Sequence, residues 1–166
     1  MKVKDVMTAG AKACLPEASL AAAASLMWEN DCGALPVVSV EDKVVGMITD
    51  RDICFGATTK NRPASEIAVA EVIAGQVFAC TPEDDIREAL KTMRRERVRR
   101  LPVVGADGRL RGIVSMNDVV LKAEEQSNDD VPELSYGDVV QTYKAICAHN
   151  LLPQLAERPA AEAAGD

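Results

Sequence analysis

Apolar positions recur at helical spacing in two separate stretches of the chain. Leu20, Ala23 and Met27 share one face of an alanine-rich segment running to Asn30, and Ile86, Leu90 and Met93 do the same further on. Ser19 stands where the first helix needs an N-cap, and Asp85-Ile86-Arg87-Glu88 reads as a capping box for the second. Each helix is followed by continuous apolar runs, Leu35 to Val40 and Leu101 to Val104, which predict buried strands. Turns at Glu41-Asp42 and Asp107-Gly108 join these to Val44–Ile48 and Leu110–Val114, which makes two hairpins. Short helices are expected at Asp50–Phe55 and Met116–Ala123. Ala13-Cys14-Leu15 and Val77–Cys80 read as short extended runs close to a proline, whose preceding residue is biased away from helix.

The two sets of elements are copies. Sliding the chain by 66 residues aligns Val3 to Cys54 with Val69 to Val120 without a gap, and 14 of the 52 pairs are identical. The longest block is Leu35-Pro36-Val37-Val38 on Leu101-Pro102-Val103-Val104. The expected organisation is a first repeat over 1–57, a linker over 58–66, a second repeat over 67–123, and a further segment over 124–166. Each repeat has the order strand, helix, strand, strand, helix. A unit of some fifty residues is marginal alone, so the two should share a core. The predicted class is α+β, two tandem repeats packed with pseudo-twofold symmetry, plus a C-terminal helix.

Composition narrows the function. The net charge is −7 and aromatic residues make up 3% of the chain, which argues against a cationic nucleic-acid face and against a base-stacking platform. No apolar run approaches the ~18 residues a spanning helix needs, and Met1-Lys2-Val3-Lys4-Asp5 leads into no secretory h-region. The expectation is a cytoplasmic protein with no membrane partner. Five scattered cysteines, Cys14, Cys32, Cys54, Cys80 and Cys147, without a Cys-x-x-Cys, read as small core residues in a reducing compartment. His149 is the single histidine and has no companion ligand, so no metal site and no catalytic residue is expected, and no enzyme.

Gly46-Met47-Ile48-Thr49-Asp50-Arg51-Asp52 and Gly112-Ile113-Val114-Ser115-Met116-Asn117-Asp118 resemble the Gly-h-h-[Thr/Ser]-x-x-Asp signature of cystathionine-beta-synthase (CBS) domains. Val3-Lys4-Asp5-Val6-Met7-Thr8 and both Leu-Pro-Val-Val strands are similar to the same pattern, over residues 1–122. The resemblance implies a tandem pair, a Bateman module, that binds an adenosyl compound (AMP, ADP, ATP, NAD or S-adenosylmethionine) and regulates rather than catalyses. It also implies pairing into a homodimer.

The residues themselves carry a chemical argument. Thr49 and Ser115 end strands that turn directly into helices, where unbonded N–H groups favour phosphate oxygens. Asp52 and Asp118 lie one turn in, where a carboxylate can accept from ribose hydroxyls; the plainer reading of each tetrapeptide is a capping box. Arg94, Arg95 and Arg97 suit a solvated helix end. Arg99 and Arg100 directly precede the second Leu-Pro strand, positions at which the resemblance implies contact with phosphate. The first repeat has Gly33-Ala34 there, which favours one charged pocket over two. The resemblance further implies that Ala13 to Leu15 and Ala79 to Thr81 line the base, so Ala13, Leu15, Ala79 and Thr81 join the candidate set.

Past a polar linker over Glu124–Asp130, Ser135-Tyr136-Gly137-Asp138 reads as another capping box. Val139, Val140, Tyr143, Ile146, Cys147 and Asn150-Leu151 continue it at helical spacing, and a frayed tail over 159–166 follows. This helix is expected to pack on the module, to bridge a dimer, or to dock an effector protein. Trp28 is assigned to packing or an interface. The leading expectation is a regulatory signal-transduction module with an adenine nucleotide (AMP, ADP or ATP) as ligand and no catalytic cofactor. The alternatives are a scaffold with vestigial pockets, or a sensor of NAD or S-adenosylmethionine.

Overall fold

Each repeat is built on one amphipathic helix and one hairpin. The structure is a computed structural model that describes residues 1–73, 76–125 and 132–148. The first repeat contains β1 (Thr8–Ala9), α1 (Leu20–Glu29), β2 (Ala34–Val38), β3 (Val44–Thr49) and α2 (Asp50–Lys60). The second contains α3 (Ile86–Glu96), β4 (Arg100–Val104), β5 (Leu110–Ser115) and α4 (Met116–Lys122), and α5 (Tyr136–Cys147) follows.

The helix faces are those the spacing predicts. Leu20, Ala23 and Met27 are buried on α1, and Ile86, Leu90 and Met93 on α3. Ser19 caps α1 by accepting from the Ala22 N–H. Asp85 caps α3 by accepting from the Arg87 N–H at 2.8 Å. The predicted box does not close there, because Glu88 pairs with Lys91 at 2.5 Å and turns outward. The hairpins β2–β3 and β4–β5 are antiparallel, and each register shifts at the same place, Val37/Val38 and Val103/Val104. Pro36 and Pro102 offer no N–H, but their carbonyls accept from Cys14 and Cys80. Those extended runs therefore add single parallel bridges, Cys14–Val37 and Cys80–Val103, and no further strand.

Two elements differ from expectation. α2 continues past Phe55 to Lys60, into the stretch read as linker, where the Thr58 and Thr59 hydroxyls bond back to carbonyls of the preceding turn. β1, a two-residue strand with no hydrophobic signal, crosses to the second repeat and pairs antiparallel with β5, Thr8 opposite Ile113 and Ala9 opposite Gly112.

Backbone bonds between the repeats occur in exchanged pairs. Val3 N–H donates to Asp84 and Val69 N–H to Ala18; Lys4 donates to Pro82 and Ala70 to Pro16; Ile86 donates to Met1 and Leu20 to Ile67. The hairpin tips meet through Val44 to Gly108 and Leu110 to Asp42. These bonds map onto one another when the repeats swap, which is pseudo-twofold symmetry at the level of single atoms; the β1–β5 pairing and the bond from Gly10 N–H to the Arg111 carbonyl have no counterpart among the described residues. The leading segments accordingly change sides. Val3 and Val6 are buried with Cys80, Ile86, Leu90 and Leu101, whereas Ile67 and Val69 are buried with Cys14, Leu20, Leu35 and Ile48.

Of the cysteines, only Cys14 and Cys80 are the small core residues expected; Cys32 is half-buried, and Cys54 and Cys147 are exposed. Burial pushes the Cys80 thiol up to about 12 and raises that of Cys14. None of the five forms a disulfide.

Gly112 permits the β1 crossing. A Cβ there would lie 2.4 Å from the Thr8 carbonyl oxygen, a backbone atom, whereas at the equivalent Gly46 it would meet the tip of Ile73 at 2.7 Å. A side-chain tip can rotate away and a paired strand cannot. Gly112→Ala is therefore expected to cost roughly 1–3 kcal/mol, the range of an overpacked site, and Gly46→Ala less. Urea melts of the two variants check the order; equal midpoints would remove β1 from the account of stability.

Candidate functional site

The ends of β3 and β5 are built alike. Thr49 donates its N–H and its hydroxyl to the Asp52 carboxylate at 2.9 and 2.7 Å, and its hydroxyl accepts from the Asp52 N–H. Ser115 and Asp118 repeat this at 2.8 and 2.6 Å. The capping boxes are thus real, and in each only one carboxylate oxygen, Oδ2, serves the cap.

The second oxygen separates the repeats. Asp118 Oδ1 accepts from the Thr8 hydroxyl at 3.2 Å, beside the β1 strand that lies along β5. Position 74, the counterpart of Thr8, is alanine and has no hydroxyl to offer Asp52. Asp52 Oδ1 carries no bond among the described residues.

One cavity of about 570 Å³ lies between the repeats beside Thr49. β2, β3 and the start of α2 contribute Ala34, Met47, Thr49, Asp50 and Arg51. From the second repeat come Gln76, Val77, Phe78 and the run Arg97 to Arg100, and α5 adds Ile146 and Cys147. Its size suits a small-molecule site. Four arginines and one aspartate line it, a local excess of positive charge in a chain of net charge −7. Arg97, left-handed at φ 55°, ends α3 and turns the chain so that Arg99 and Arg100 enter β4 at the cavity. The guanidinium groups of Arg99 and Arg100 have no hydrogen bond or ion pair among the described residues. Arg51 stacks over Phe55 at 5.3 Å.

A second cavity, about 630 Å³, lies between α1, α2 and α4 and shares Asp50 and Arg100 with the first. Asp31 and Asp50 offset its single arginine, so it holds no excess of positive charge. Trp28 stands on its rim, 88% exposed; it packs in neither core.

The structure thus brings Thr49, Arg99 and Arg100 to one cavity, with Asp52 bonded to Thr49 just behind. Ser115 and Asp118 sit at the pseudo-symmetric position under β1, lining neither cavity. Ala13, Leu15, Ala79 and Thr81 line neither one either. Thr81 is engaged with Asp84 through its N–H and hydroxyl, and the wall is made by the residues just before Ala79. Arg94 bonds the Thr142 hydroxyl and Arg95 pairs with Glu96, as helix-end residues do, but Arg97 belongs to the cavity. Sequence reasoning also missed Arg51, Met47 and Phe78. Arg51 was available as the variable residue inside the signature; the other two carry no local signal.

Among the described residues no three His, Cys, Asp or Glu side chains cluster as a metal site would require, and no helix is long and apolar enough to cross a membrane. His149, Asn150-Leu151, most of the polar linker and the tail lie outside the described residues.

A family model described as CBS domain matches residues 3–56 and 69–125. Hypoxic response protein 1 of Mycobacterium tuberculosis is 32% identical over 145 residues, covering 87% of this chain and 93% of that protein. The crystal structure of Hypoxic Response Protein I with two coordinated zinc ions superposes with a TM-score of 0.69 at 31% identity, over 75% of this chain and 100% of that one. The crystal structure of CBSX2 in complex with AMP gives 0.63 at 27% identity, over 72% and 93%.

Proposed function

Because the chain belongs to the CBS domain family, as a tandem pair of these domains, we propose that it is a regulatory module whose ligand is an adenine nucleotide held in the 570 Å³ cavity. The carrying observation is the pair Arg99 and Arg100, two guanidinium groups without a hydrogen bond or ion pair among the described residues on the wall of the cleft. Planar donor forks of this kind match phosphate oxygens. Asp52 does not itself line the cavity but is bonded to Thr49, which does; its Oδ1, without a bond among the described residues, is assigned to ribose hydroxyls, and Met47, Val77 and Phe78 supply an apolar face for the base. The AMP complex of CBSX2 supports this ligand class.

One cleft is the working site. β1 and the Thr8 hydroxyl occupy the surroundings of Asp118, and Ala34 stands where the second repeat has Arg100. The module acts by binding rather than by catalysis, in the cytoplasm. It works as a homodimer, for which Trp28 on α1, Phe55 on α2 and Leu121 on α4 are exposed apolar residues suited to burial against a second copy.

A thermal-shift panel of AMP, ADP, ATP, NAD and S-adenosylmethionine tests the reading. A ligand at ~100 times its Kd stabilises the folded state by about 2.7 kcal/mol, so a selective rise in Tm names the ligand class. A flat panel on protein shown to be free of carried-over nucleotide would favour the scaffold instead, with dimerisation alone as its function.

A further inference from the structure

α5 lies outside both repeats, yet its last turn reaches the cavity. Ile146 packs against the second core and also lines the cavity, and Cys147 lines it from an exposed position. The rest of α5 is pinned away from the cleft. Ser135 and Asp138 close a capping box, Thr142 is fully buried and accepts from Arg94, and Val139 and Tyr143 pack on the same core. Among the described residues the first repeat has no equivalent of this helix, so the wall it builds has no pseudo-symmetric copy there.

We propose that the last turn of α5 is a third wall of the nucleotide cleft, in contact with the bound adenosine moiety, and that occupancy of the cleft is thereby coupled to the docking of the C-terminal arm. This rests on the nucleotide reading given above. Ile146 is the mechanical link, since one side chain serves both the core that holds α5 and the surface that meets the ligand. A ligand touching Ile146 and Cys147 favours the docked arm by its differential affinity, and a docked arm raises ligand affinity by the same factor.

Thiol chemistry on the full-length protein reads this directly. Cys54 is exposed on α2 and lines neither cavity, so it serves as the internal standard for Cys147. With AMP or ATP at ~100 times its Kd, mass action leaves about one cleft in a hundred empty, and alkylation of Cys147 by N-ethylmaleimide is expected to slow by about tenfold or more while Cys54 is unchanged. Cys147→Trp, compared with Cys147→Ser so that loss of the thiol's own contacts is common to both, should fill the wall and lower nucleotide affinity by about tenfold. Binding of AMP or ATP that weakens on Arg99→Ala, with Cys147 alkylated at its original rate, would overturn the role of α5 and leave the nucleotide reading standing. Protection of Cys147 with full affinity in Cys147→Trp would overturn direct contact. No binding of either nucleotide to the wild-type chain would overturn both readings together.

Discussion

Replacing Arg99 and Arg100 together by alanine is expected to lower affinity for AMP or ATP by on the order of 100-fold. Hydrogen bonds to charged groups contribute about 1.5–3 kcal/mol each. Arg99 is exposed and Arg100 half-buried, so solvent screening takes the pair toward the lower end, and ~2.7 kcal/mol is a factor of about 100 in Kd. The fold should tolerate the change, because neither guanidinium has a bond among the described residues. Calorimetric titration at two salt concentrations separates this from a packing effect, since loss of phosphate contacts also flattens the salt dependence. Arg95→Ala is the control: it pairs with the adjacent Glu96 and lines neither cavity, so it should leave Kd within about twofold. An unchanged Kd in the double variant would take phosphate recognition away from these arginines. The aspartates should differ in the same assay, with Asp52→Ala costly and Asp118→Ala nearly silent, because Thr8 already holds the outer oxygen of Asp118.

That asymmetry marks the limit of what the chain discloses by itself. Everything with a local period is legible in it: both amphipathic helices, both hairpins, the box at Ser135, and the 66-residue offset that makes the elements two copies. Contacts across the pseudo-twofold are not. Thr8 and Thr49 are both hydroxyl residues in short signatures, and only the crossing of β1 onto β5 shows that Thr8 bonds the outer oxygen of Asp118. Cysteine spacing likewise says nothing of exposure, which is why Cys54 and Cys147 depart from the core assignment that Cys14 and Cys80 fulfil. The cleft itself is assembled from five stretches of chain, and Phe78 or Ile146 becomes a wall only when those stretches meet. Charge was the readable part: a dense arginine run in an acidic chain needs either acidic partners or an anion, and two of its members, Arg99 and Arg100, have no partner among the described residues.

The exchange of Val3 and Val69 leads to the largest expected effect on the fold. Val69 has no exposed surface and sits among Cys14, Leu20, Leu35 and Ile48, the core of the repeat to which it does not belong. Val69→Asp would place there a carboxyl group without a partner, a change that costs about 4 kcal/mol or more. A domain's whole stability is ~5–15 kcal/mol. The damage should appear first in the first repeat: amide exchange in β2 should accelerate at least as much as in β4, although the substitution lies 31 residues beyond the end of β2 and inside the second copy. Val3→Asp should do the reverse, loosening β4 around Leu101 and Val103. Faster exchange confined to the substituted residue's own repeat would mean that each copy holds its own core. With the cores exchanged, neither repeat can lose its leading segment without opening the other, so unfolding is one cooperative event. Residues of both β3 and β4 line the cleft. Nucleotide held between Thr49 of one copy and Arg99 of the other would therefore tie together two repeats that already complete each other's interiors, and should raise the protection of β2 and β4 by equal amounts.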